Sequence, residues 1–124
     1  MYDSYELINS KHTFKLQKYV HAILVQSEGY DNSVLNDLGA CGLNLTNEML
    51  EFHEKDQLVS QIESLERFTF YVAKIMTLLP HIPDDINLFP SVDEMSNWSH
   101  HFYYVLQQEH ARKKGQYRTL RKLN

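Results

Sequence analysis

The stretch from Gln57 to Leu79 constrains the fold more than any other part of the chain. At helical spacing Leu58, Ile62, Leu65, Thr69, Val72, Met76 and Leu79 fall on one stripe, widened by Val59, Phe68 and Ile75. This is the pattern of a helix with one face committed to a core. Glu63, Glu66, Arg67 and Lys74 occupy the other side. Pro80 and Pro83 end the run, because a ring without an N–H cannot extend the hydrogen-bond ladder. A helix this apolar cannot stand alone in water, so the rest of the chain must supply its partners.

Three further segments carry the same periodicity. Residues 4–27 read as a first helix, with Leu16, Tyr19, Val20, Ile23 and Leu24 as its stripe, a weaker one of Tyr5, Leu7 and Ile8 before it, and Ser4 or Ser10 as cap. Residues 28–32 are a turn by composition. Ser33 is the expected cap of a second helix, whose apolar positions Val34, Leu35, Leu38, Cys41, Leu45, Met49 and Phe52 repeat at three and four. Gly39 and Gly42 lie inside it, each costing roughly 0.8–1 kcal/mol against alanine. Close approach of a neighbouring helix, or a subunit contact through the same small-residue face, compensates. The break at His53–Asp56 is short, which makes the second and third helices antiparallel neighbours.

The loop after the third helix, from Pro80 to Pro90, carries Ile86, Leu88 and Phe89, too apolar for a solvated linker and expected to pack over one end. Ser91-Val92-Asp93-Glu94 then matches a capping box. Met95, Trp98, Phe102, Val105 and Leu106 form the stripe of a last helix, flanked by Tyr103 and Tyr104. It is expected to run to about Lys114 and stop at Gly115. The reading is all-α: an antiparallel up-down-up-down four-helix bundle in residues 1–114, followed by a basic C-terminal tail in residues 115–124. Tyr117, Leu120 and Leu123 recur every three residues in that tail, which is expected to form an amphipathic turn or two on binding.

A length of 124 residues with 43% hydrophobic content suffices for one domain with its own core. One cysteine, Cys41, excludes an intramolecular disulfide framework and suits a reducing compartment. The start Met1-Tyr2-Asp3-Ser4 lacks the positive region of a signal peptide, and the longest apolar run falls short of the roughly 18–20 residues of a membrane span. A cytoplasmic protein with no membrane partner is expected.

The net charge of −4 conceals a split. All 16 acidic residues lie in residues 1–110 against six basic ones, a balance of −10, while the last fourteen residues carry six cations and no acid.

Catalytic and metal signatures are missing. There is no Glu-x-x-His and no His-Glu-x-x-His among the seven histidines. Glu48, Glu51 and Glu54, with His53 beside them, line one side of the second helix and read as a solvated face. His100 and His101 are adjacent, so they point about 100° apart and serve one metal ion poorly; they are expected to flank Trp98 and Phe102 at the core's edge. Cys41 sits on the apolar stripe as a buried thiol, the four glycines are too scattered for a phosphate loop, and no arginine precedes a histidine at the spacing helical ribonucleases use. No catalytic residue, metal, cofactor or small-molecule substrate is expected.

What remains is the basic end. Arg112, Lys113, Lys114, Arg118, Arg121 and Lys122 are the expected phosphate-binding residues, since arginine and lysine bind phosphates through charge, and Tyr117 is the expected stacking partner of an unpaired base. The competing readings are a solvated helix end whose cations favour the helix dipole, and contact with an acidic protein surface, including the body of another copy. The number of aromatics, Tyr71, Tyr103 and Tyr104 among them, hints at self-association.

The order of features resembles a known family. Tyr30-Asp31-Asn32-Ser33-Val34-Leu35 opening the second helix, Leu65-Glu66-Arg67-Phe68 through Leu78-Leu79, then a loop and a final helix with a late basic end, resemble the four-helix accessory proteins of diversity-generating retroelements, the Avd type. The likeness covers most of residues 14–114 and is one of helix lengths and apolar spacing. It implies a ring-forming bundle that binds a reverse transcriptase and its structured RNA, assisting cDNA synthesis without catalysing it. Such proteins are basic over much of their surface, whereas residues 1–110 here are acidic. RNA contact is therefore expected of the basic end, in a non-enzymatic accessory protein that self-associates. The runner-up is a protein-only interaction module, of inhibitor or immunity type, whose acidic bundle surface masks a basic target.

Overall fold

The structure, a computed structural model, describes residues 32–52, 57–84 and 91–123, together with positions 14, 15, 18, 19, 21, 22 and 25. All secondary structure among the described residues is helical. Three helices are described in full: α1 (Ser33–Phe52), α2 (Leu58–Leu78) and α3 (Val92–Leu123), with a 3-10 turn at Leu79–His81 after α2. The seven positions between 14 and 25 are helical as well.

Sequence and structure agree most closely at α2. Ile62, Leu65, Phe68, Val72, Ile75 and, just past its end, Leu79 are buried. The stripe is centred on Phe68 and Ile75, while Thr69 and Met76 lie half-buried at its edge and Val59 is exposed. Pro80 sits inside the 3-10 turn, where the Ile82 N–H reaches the Leu79 carbonyl at 3.2 Å and drops the Ile82 side chain into the core.

α2 packs against both α1 and α3. From α1 come Leu35, Leu38, Cys41 and Leu45, and from α3 Met95, Phe102 and Leu106, all essentially sealed from solvent. Tyr19 joins this core. The Lys15 Nζ lies 5.4 Å from the centre of the Trp98 ring and so binds this part of the chain to α3. Both packed pairs are antiparallel: Glu48 meets Arg67 while the earlier Cys41 lies near the later Lys74, and Lys113 meets Gln61 while Tyr103 faces Ala73.

Two expected caps resolve differently. At Ser91 the hydroxyl accepts from the Glu94 N–H at 3.2 Å, the serine half of a capping box. At α1 the cap is Asn32, not Ser33: its Oδ1 accepts from the N–H groups of Val34 at 2.9 Å and Leu35 at 3.2 Å. Asparagine in the turn reaches both orphan donors with one carbonyl, leaving Ser33 as the first helical residue.

The end of α3 is the main correction. The helix does not stop at Gly115 but continues to Leu123, so residues 115–123 are helical in the free chain. Of the expected first helix, residues 4–27, only the seven positions between 14 and 25 are described. The stripe residues Tyr5, Leu7, Ile8, Leu16, Val20, Ile23 and Leu24, the caps Ser4 and Ser10, and the loop residues Ile86, Leu88 and Phe89 lie outside the described residues, as do the side chains of Met49 and Phe52.

Candidate nucleic-acid interface

One glycine against a run of good helix formers decides the shape of the basic end. Gly115 costs about 1 kcal/mol, but Gln116, Arg118, Leu120, Arg121 and Lys122 favour helix. Arg121 and Lys122 in the last turn also face the negative end of the helix dipole. A side chain at position 115 would meet nothing within 4 Å, so no close packing demands the glycine.

Because α2 runs antiparallel to α3, Lys113 stands opposite the first turn of α2. The final turns of α3 continue past the start of that helix, and Leu120 on the continued core stripe is 53% exposed.

The seven candidate residues divide. Arg112 is engaged by Glu109, a carboxylate only 4% exposed: its Nε donates to Oε2 at 3.0 Å and its Nη2 to Oε1. Lys113 donates to the Gln61 Oε1 at 2.9 Å and ties α3 to α2. Lys114, Arg118, Arg121 and Lys122 are exposed. Tyr117 is half-buried, with the Arg121 guanidinium 5.8 Å from its ring centre. Lys114, Arg118 and Arg121 are spaced by four and three residues, which places them on one helix face, with Lys122 turned about 100° from Arg121.

That face does not begin at Lys114. Tyr103, Gln107, His110, Lys114, Arg118 and Arg121 step by four, three, four, four and three, one continuous stripe along α3. Its first half forms one wall of an open groove of about 480 Å³, the other wall being Glu66, Thr69, Phe70 and Ala73 of α2. Phe70 is 61% exposed although large and apolar. Its ring meets that of Tyr71 edge-on at 5.6 Å. The Tyr103 hydroxyl accepts from the Gln107 amide at 3.0 Å. The His110 Nε2 is buried without a hydrogen-bond partner and lies 3.6 Å from the Glu66 Oε1, beyond hydrogen-bond reach. Residue-by-residue reading of charge passed over this groove; the three-and-four spacing leading back from Lys114 was the signal that could have found it.

The acidic row on α1 is also corrected in part. Glu48 is not solvated but 7% exposed, its Oε2 accepting from the Ser64 hydroxyl at 2.7 Å and its Oε1 paired with the Arg67 Nε. The Glu48 carboxylate raises the Arg67 guanidinium pKa above its ordinary value through that hydrogen bond, against the opposing effect of burial. Glu51 is exposed, and Glu54 and His53 lie outside the described residues. Among the described residues no three His, Cys, Asp or Glu side chains converge to hold a metal ion.

Of the two adjacent histidines, both exposed, His101 meets Trp98 edge-on at 6.2 Å. Cys41 is a buried free thiol, and burial foremost raises its pKa, which keeps it a poor nucleophile. Among the described residues no helix is long and apolar enough to cross a membrane.

No protein-family model, curated protein or solved structure matches this chain.

Proposed function

We propose that this chain is a non-enzymatic, self-associating accessory protein that contacts RNA, or a nucleoprotein such as a reverse transcriptase with its RNA, through the basic end of α3. In this reading the N-terminal segment completes an up-down-up-down four-helix bundle with α1, α2 and α3, and the protein works in the cytoplasm. The supporting observation is the unbroken helix from Val92 to Leu123, which holds Lys114, Arg118 and Arg121 on one exposed face with Lys122 exposed beside it. Such a face meets phosphates without first having to order a coil, so the entropy of folding on binding is already spent. The likeness of helix order to Avd-type accessory proteins agrees with this role. The acidic body repels phosphate, which confines the contact to the stretch of α3 that escapes it.

Light scattering with a structured RNA tests the proposal. The full-length chain gains RNA mass, and a chain with Lys114, Arg118, Arg121 and Lys122 all changed to Gln does not. Equal RNA binding by both proteins overturns it.

A second reading, a protein-only module, draws support from the exposed rings of Phe70 and Tyr104, 61% and 59% accessible, on a body rich in exposed carboxylates. It predicts that neither protein binds RNA and that both capture a basic protein partner.

A further inference from the structure

The basic face and the α2–α3 groove lie on one stripe of one helix, and the two halves differ in chemistry. Lys114, Arg118 and Arg121 offer only positive charge. Tyr103 and Phe70 offer ring faces, while Gln107, Thr69 and Glu66 offer donors and acceptors at the rim. From residue 103 to residue 121 the stripe spans roughly 27 Å at 1.5 Å per residue. A groove of about 480 Å³ falls within the roughly 300–1,000 Å³ typical of small-molecule sites, room enough for a nucleobase.

We infer that the groove between α2 and α3 is a base-binding site for single-stranded nucleic acid, whose adjoining phosphates run along Lys114, Arg118 and Arg121. This rests on the reading that the basic end contacts nucleic acid, and it adds where the base goes.

Charge complementarity selects this occupant. Three cations in line with an aromatic groove match a strand that alternates a π-face with an anion, and stacking on Phe70 or Tyr103 works for any base. Half-exposed Glu66 repels a phosphate but accepts from an N–H on the edge of a base, the imide N–H of uracil included. It therefore favours the base in the groove and the phosphates beyond it. His110 lines the groove with its Nε2 sealed inside the wall, so it shapes the floor of the site and leaves the edge contacts to Glu66 and Gln107. A duplex hides these edges and faces, so the groove demands an unpaired strand.

The test is fluorescence anisotropy of a labelled ten-nucleotide oligouridine with the full chain, repeated with an oligothymidine of equal length and with a duplex. Three proteins are compared: the unaltered chain, Phe70→Ala, and Arg118→Glu with Arg121→Glu. Phe70 is exposed, so its removal spares the core. The expected result is about a tenfold loss of affinity for single strands on Phe70→Ala, one stacking contact's worth, with no loss for duplex, and near-complete loss on the charge reversal. Crosslinking with 5-iodouracil in the strand gives a readout independent of any variant, and is expected to label the peptides holding Phe70 or Tyr103.

If charge reversal abolishes binding while Phe70→Ala leaves it unchanged and crosslinks fall elsewhere, the groove is overturned and the basic end stands. Binding that survives the charge reversal overturns both. Failure of every oligonucleotide to bind, with the groove instead buried between copies of the chain, also overturns both.

Discussion

The Ser64 hydroxyl donates a 2.7 Å hydrogen bond to the Glu48 carboxylate, linking α2 to α1 through two buried polar groups. Arg67 holds the other carboxylate oxygen. A buried carboxylate is tolerable only when its lone pairs are taken, and here both oxygens are.

Removing the acceptor leaves Ser64 buried and unpaired. Glu48→Ala is expected to lower stability by about 2 kcal/mol, discounted from a fully buried ion pair because Arg67 is partly solvated. Ser64→Ala should cost about 1 kcal/mol. Urea denaturation followed by circular dichroism measures both, and equal stability of Glu48→Ala and the unaltered chain contradicts the role given to this contact.

The seven cations and aromatics of the basic end are expected to separate into two classes. Arg112→Ala removes two charge-assisted hydrogen bonds from the buried Glu109 carboxylate and should cost about 1–3 kcal/mol. Arg118→Ala on the exposed face should stay within about 0.5 kcal/mol. For RNA affinity the order reverses, Arg118→Ala weakening it and flattening its salt dependence by about one unit. Paired melting and binding curves for the two variants decide this.

Gly115→Ala is expected to firm the basic end. Its added Cβ meets nothing, and alanine favours helix by about 0.8–1 kcal/mol. Amide exchange in residues 116–122 should slow about fivefold, while Gly115→Pro should release those residues to fast exchange.

Much of this architecture is legible from periodicity alone, and the misses share a cause. The core of α2 follows from its stripe because burial there depends on many residues agreeing. The buried acids do not, because Glu48 is satisfied by Ser64 and Arg67 on another helix, and a single sequence does not reveal which surface meets which. A hint was present: Glu48 lies three residues after Leu45 and seven after Cys41, on the apolar stripe, as Glu109 does after Leu106 and Phe102. Gly115 was misread because a glycine after a helical run marks an end only when the residues beyond it disfavour helix, and here they favour it. The shift of the α1 cap by one residue, from Ser33 to Asn32, reflects two adjacent side chains both able to cap.

Cys41 and Tyr19 set the response to alkali. Burial foremost raises both groups above their ordinary values. A group whose pKa is raised in the folded state stabilises the fold below its unfolded value and loses that contribution as pH climbs toward the folded one. Stability should therefore fall above about pH 9, where unfolded cysteine and then tyrosine ionise. Iodoacetamide at pH 8 should alkylate Cys41 only on the timescale of unfolding, as mass spectrometry can follow. Rapid labelling of the folded chain contradicts its burial.

The most direct test of the whole account is the salt dependence of RNA binding by the full chain. Four exposed cations at one helix end predict that the logarithm of the association constant for a single-stranded RNA falls against the logarithm of salt with a slope of about −3. Changing Lys114, Arg118, Arg121 and Lys122 to Gln should bring that slope near zero and remove the affinity, while circular dichroism still reports a folded helical chain. Undiminished affinity and an unchanged slope in that variant contradict the account, and the contact surface must then be sought on the acidic body.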